Sequence, residues 1–253
     1  MKKSYLKINV VIILMFTILV SLCISNVKAI NVQADSRVIH SGNTEENDIC
    51  FMINVYQGND YVKAIMDICD VYNVKTTFFL GGSWAVKNIE LVKEIYSRGH
   101  EIGNHGFYHK DQNKLDFEMN MQEISMCHKV IKENVGIEMT LFAPPSGAYS
   151  VATVDAATSL NYKTIMWTRD TIDWRDQDAD LIYKRAVKDL ANGDLVLMHP
   201  TEKTVAAFTN IVSTALNNGF NVTTVSNCSE NANAYSPINE TLFNSTLLKE
   251  EQF

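Results

Sequence analysis

The chain has 253 residues, 46% of them hydrophobic and 20% charged, and carries a formal net charge of -7. That length and apolar content fill one barrel-sized core or two small ones and exclude a chain that cannot bury enough surface to fold. The acidic balance excludes a nucleic-acid partner, because phosphate binding needs a basic footprint and no Lys/Arg cluster supplies one.

At the N-terminus, Lys2, Lys3 and Lys7 lead into the apolar run INVVIILMFTILVSLCIS, and VKA at 27–29 has the small-residue ending of a cleavage site. Residues 1–29 are expected to be a signal peptide or, because the run approaches spanning length, an uncleaved membrane anchor. Either form places the remainder outside the cytoplasm, secreted or membrane-anchored at the cell envelope. Residues 30–48 are polar and aperiodic, ending HSGNTEEND, and are expected to act as a linker.

From residue 49 strands and helices alternate. ICFMINV is a continuous apolar run of strand length, DYVKAIMDICDVY has helical spacing, VKTTFFL is β-branched and aromatic, and NIELVKEIYSRG is a helix stopped by Gly99. After the short apolar piece in GHEIG come the helix DFEMNMQEISMCHKVIKENVG, the strand MTLFA, the helix VATVDAATSLN and the strand KTIMW. The helix ADLIYKRAVKDL, the strand DLVLMH, the helix TVAAFTNIVSTALNNG and the strand NVTTV complete the series. Roughly seven such units over about 180 residues predict an α/β fold of parallel strands with helical crossovers, favouring a closed or nearly closed barrel, with an open doubly wound sheet as the alternative. The domain is placed at 49–226 and a polar tail at 227–253. Cys50, Cys69, Cys127 and Cys228 show no CxxC spacing, which favours buried free thiols over disulfides.

In such a barrel, chemistry collects where the strands end. Asn54 and Val55 end the first strand, His105 and His109 follow the third, Ala143 to Tyr149 follow the fourth, Asp170 to Trp174 follow the fifth, and His199 closes the sixth. Imidazoles four residues apart can close on one divalent metal ion.

The stretch VKTTFFLGGSWAVKNIELVKEIYSRGHEIGNHGFYHKD, followed in order by APPSGAY, DTIDW and LVLMHP, resembles the polysaccharide deacetylases, the NodB-homology fold of carbohydrate esterase family four, and in particular sporulation-associated envelope members. The resemblance implies a distorted (β/α) barrel. It also implies a divalent metal, zinc by expectation, that polarises the amide of an N-acetylated cell-wall glycan such as peptidoglycan and activates a water. Motif by motif, it implies His105 and His109 as metal ligands, His199 as the acid that protonates the leaving amine and Asp173 as its partner. Trp174, with Tyr149 and Tyr108, would bind substrate. Two motifs depart from the family pattern. Asn54 stands where the carboxylate base belongs, and Val55 stands where the third metal ligand belongs. Ala143 occupies the position of the arginine that steadies the base. An amide is no general base near neutrality and a valine has no lone pair, so the resemblance implies a deacetylase-like protein with catalysis crippled or lost, a pseudoenzyme. Asp60 is the one carboxylate close to the broken motif, and its spacing suits a helix N-terminus. A working hydrolase in which Asp60, Asp170 or a water replaces the lost groups and a non-catalytic glycan-binding or scaffold protein are the two competing expectations.

Overall fold

The computed structural model describes residues 35–230. The apolar run near the N-terminus and the part of the expected tail beyond Glu230 lie outside these residues. Among the described residues no helix is long and apolar enough to cross a membrane.

Among the described residues nine strands form one sheet: β1 Val38–Ile39, β2 Asp48–Val55, β3 Thr77–Leu80, β4 Glu101–Asn104, β5 Leu141–Phe142, β6 Lys163–Ile165, β7 Arg169–Asp170, β8 Leu195–Met198 and β9 Asn221–Val222. Their order is β1-β6-β5-β4-β3-β2-β8-β7, with β9 paired to β2. Every ladder is parallel. Parallel neighbours require crossovers. The helices α1 Asn59–Tyr72, α2 Gly82–Lys87, α3 Ile89–Ser97, α4 Phe117–Val135, α5 Val151–Ser159, α6 Ala179–Val187 and α7 Glu202–Asn217 lie between the strands, and the short α8 Val225–Cys228 follows β9. Among the described residues no ladder joins β7 back to β1, so the sheet curls into a distorted, incompletely closed (β/α) barrel.

Strand alternation divides the core. Ile49, Phe51, Ile53 and Val55 of β2 join Phe78, Leu80, Val196 and the helix faces in the larger cluster, while Cys50 and Met52 join Phe79, Leu141, Ala143, Ile165 and Leu195 inside the barrel. Burial on both faces is why β2 reads as an unbroken apolar run. Val225 and Cys228 of α8 close the barrel at the end opposite the site; there Val225 N donates to Thr77 Oγ1 (2.8 Å) and the Cys228 thiol to the Asp48 carbonyl (3.6 Å). Cys50, Cys69, Cys127 and Cys228 are all buried free thiols.

Two expectations about boundaries need correction. The stretch expected as a linker is part of the barrel from Val38 onward: β1 pairs with β6, Val38 is buried, Gly42 N donates to Gly193 O (2.7 Å) and Asn43 N to Cys228 O (2.7 Å). Residues 227 and 228, expected in the tail, belong to α8. A two-residue strand has no periodicity to read, and polar residues flank Val38 and Ile39 on both sides.

Candidate functional site

Because all strands are parallel, their C-terminal ends share one rim, and the sequence-predicted residues gather there. β4 delivers His105, which is 1% exposed and hydrogen-bonds through Nδ1 to the Ala143 carbonyl (2.8 Å), the residue just past β5. His109 turns back toward it with φ +56, and the two rings meet edge to face at 5.1 Å between centroids. Burial, with His109 as neighbour, holds His105 down to about 3, and burial also lowers His109. Both imidazoles are therefore neutral near pH 7.

The loop between them is fixed from below by α4. Glu123, 3% exposed, accepts from Phe107 N (3.0 Å) and Tyr108 N (2.7 Å) and pairs with Lys110 Nζ (3.1 Å). Asn104 donates to Ile124 O (2.8 Å) and accepts from Gly106 N (2.9 Å). Neither residue stood out in the sequence as functional. Their signal was present, since Asn120, Glu123, Ile124, Cys127 and Ile131 share the buried stripe of α4. A carboxylate on such a stripe must be paired.

Across the rim, Asp173 is fully buried and accepts from His199 N (2.6 Å), His199 Nδ1 (2.8 Å) and Thr204 Oγ1 (2.6 Å). The carboxylate thus fixes the tautomer of His199 with its proton on Nδ1 and the opposite nitrogen free to face the groove. Thr204 is buried on the first turn of α7, whose cap is Thr201 (Thr204 N to Oγ1, 3.1 Å), and its second role could not be read from spacing. Asp170 sits close enough to feel His199 and Asp173, and burial raises its carboxyl.

Asn54 and Val55 end β2 with 4% and 0% exposure. Asn54 Oδ1 is buried without a hydrogen-bond partner, Val55 packs in the helix-side cluster, and Ala143 is fully buried inside the barrel. Asp60 is exposed in the first turn of α1, as its spacing suggested. Of the aromatics, Tyr108 is 51% and Trp174 59% exposed, which takes Trp174 out of the core, while Tyr149 is half-buried. Lys110 lies over the Tyr108 ring and Arg175 over the Trp174 ring, at 5.3 and 5.9 Å.

The parallel α/β barrel thus carries a histidine pair and an Asp-His pair on one rim. The chain belongs to the polysaccharide deacetylase family: that family's model matches residues 41–165. A peptidoglycan-N-acetylglucosamine deacetylase of Bacillus cereus is 31% identical over 172 residues, covering 66% of this chain and 80% of the relative. The uncharacterized protein YlxY of Bacillus subtilis is 35% identical over 187 residues, 74% of this chain; the chain spans 59% of that relative and 30% of the related Listeria monocytogenes deacetylase PgdA. Among solved structures, BA3943 of Bacillus anthracis, a CE4 family pseudoenzyme, superposes with a TM-score of 0.74 at 31% identity, covering 76% of this chain and 68% of that one. A mutant of BA3943 described as having restored enzymatic activity superposes with a TM-score of 0.73 at 29% identity, covering 76% and 70%.

The family is in general metal-dependent. In this chain the donors do not fit a complete metal site: His105 and His109 supply two imidazoles, β2 ends in hydrocarbon, and the unpartnered Asn54 oxygen is a neutral amide. Among the described residues no three His, Cys, Asp or Glu side chains converge. Catalytic sites of this kind use three protein ligands plus a water.

Proposed function

We propose that this chain is an extracytoplasmic, cell-envelope protein that holds N-acetylated glycan in the rim groove of a deacetylase barrel without deacetylating it. One observation carries the reading: the strand end that should supply a base and a metal ligand carries Asn54 and Val55, both buried. The loss of an arginine opposite, at Ala143, is consistent with it, since a guanidinium whose carboxylate partner is gone would sit uncompensated in the groove. The half of the site that protonates a leaving amine persists in His199 and Asp173, and Tyr108, Tyr149 and Trp174 remain to contact a sugar. Export rests on residues 1–29. General base catalysis alone is worth about a hundred- to ten-thousandfold, so its loss together with a ligand leaves no useful turnover. Similarity to a family pseudoenzyme supports the reading, and a mutant of that protein with restored activity supports its origin in an active ancestor.

The test is acetate release from N-acetylglucosamine oligomers with and without added zinc or cobalt, beside oligomer binding. Saturable binding with no acetate is the expected result, and metal-dependent acetate release refutes it. Converting Asn54 and Val55 to Asp and Ala143 to Arg is expected to restore zinc binding and some activity. A second reading, a slow hydrolase, draws on Asp170, whose raised carboxyl lies beside His199; acetate release abolished by Asp170→Asn would favour it.

A further inference from the structure

Three rings stand in a row at the histidine pair. His105 is innermost; His109 meets it at 5.1 Å, and Tyr56 leans on His109 from the groove side at 4.9 Å with a 44° tilt. Exposure falls inward along the row, from 39% for Tyr56 to 1% for His105. Tyr56 is not loosely draped. Its hydroxyl accepts from Ser83 Oγ at 3.1 Å and donates to the Tyr108 carbonyl at 3.5 Å, so the first turn of α2 and the loop after β4 both hold it. The ring lies in a slot that exists because residue 81 is glycine: a Cβ at Gly81 would stand 2.5 Å from Tyr56 Cδ2 and 3.2 Å from Cε2. Gly81 has φ -72 and ψ 130, a conformation open to any residue, so backbone strain does not require glycine there. The clash with the ring is the feature that does.

We propose that Tyr56 is a built-in obstruction beside the histidine pair, seated by Gly81 and anchored through Ser83, that crowds the approach of a cation to the half-buried His109. The inference rests on the reading that this site has lost its metal, and adds that the approach to the histidine pair is obstructed as well as a ligand missing. Restoring donors at 54 and 55 then leaves an obstacle in place, and a repaired chain keeps weaker zinc affinity than its donor set allows until the ring is moved.

The experiment is calorimetric titration of zinc chloride into the full chain and two single variants. Gly81→Ala evicts the ring while keeping it in the protein, and Tyr56→Ala removes it. Each is expected to tighten zinc binding by about tenfold or more over the parent, and adding His109→Ala is expected to erase the gain. Affinities equal to the parent's in both variants overturn the proposal, as does a gain that survives His109→Ala. Should Tyr56→Ala fail to fold, Gly81→Ala decides alone. A parent chain that holds zinc tightly and releases acetate refutes the preceding reading instead, whereas variants that match a weakly binding parent refute only the obstruction.

Discussion

Replacing Val55 by Asp puts the metal-ligand chemistry of the family back at the end of β2, and its immediate effect should be on stability. Val55 is fully buried among Ile53, Leu80 and Met198. Losing its apolar burial costs about 2 kcal/mol. The new carboxylate cannot stay ionised there without a cation, and protonating it at pH 7 costs about 4 kcal/mol, from 1.36 kcal/mol for each unit above a reference near 3.9. The neutral acid still leaves polar atoms unpaired, so the sum is at least about 6 kcal/mol. For a domain of this size each kcal/mol moves the melting temperature by roughly 2–4 °C, giving a drop of about 12–24 °C in a metal-free thermal melt followed by circular dichroism. The pH dependence has a definite sign. Burial raises the folded-state pKa above the unfolded one, so the penalty grows as pH rises between them and shrinks on acidification. At pH 5 the gap to the parent should close by about 2–3 kcal/mol. A variant melting within about 3 °C of the parent at pH 7, or a gap independent of pH, would mean that residue 55 does not face a dry cluster.

Glu123→Ala removes the acceptor for Phe107 N and Tyr108 N and should cost about 2–4 kcal/mol in urea unfolding, with hydrogen exchange at both amides rising well above that of the α4 amides; unchanged exchange there contradicts its role as the loop's anchor. Asp173→Asn presents an NH2 to donors now shared with one carboxylate and should destabilise the fold by about 3 kcal/mol, while Thr204→Val, losing a single donor, costs about 1 kcal/mol; equal effects would show that Asp173 is not the hub. His100 is 3% exposed, takes the Thr76 amide on Nδ1, and is held down to about 4 by burial with Lys75 adding to it. Its folded pKa lies below the unfolded 6.5, so the stability it contributes is complete above pH 6.5 and is lost as pH falls toward 4. His100→Asn keeps an acceptor and should flatten the parent's stability slope across that interval; the same slope in both chains removes His100 as the cause.

The barrel was legible because each crossover imposes alternation between two periods, and because β2 and β8 are long enough to read as buried strands. The gathering of Asn54, His105, Ala143, Asp173 and His199 on one rim followed from their places at strand ends, which parallel connections put on one side. β1 could not be read, since two residues carry no period and the pairing with Thr164 and Ile165 is a long-range contact. Glu123 and Thr204 were hidden for a different reason: each does in the fold what its residue type also does in an ordinary helix, one on a mixed stripe and one in a first turn. The Tyr56 seat was beyond reach because it depends on an absent atom at residue 81, and sequence spacing says nothing about which glycine makes room for which ring.

The pairing of β2 carries a consequence for anyone handling pieces of this protein. Its ladder partners are β3 nearby and β8 and β9 far along the chain, with Cys50 beside Leu195 and Asp48 beside Asn221. The nascent chain must therefore hold its most apolar strand with one side bare until residues 195–222 are made, a long wait for so sticky an edge. A fragment trimmed to the 41–165 stretch that matches the family would never receive that partner and would also lack the Asp-His pair; such a fragment should be recovered as aggregate.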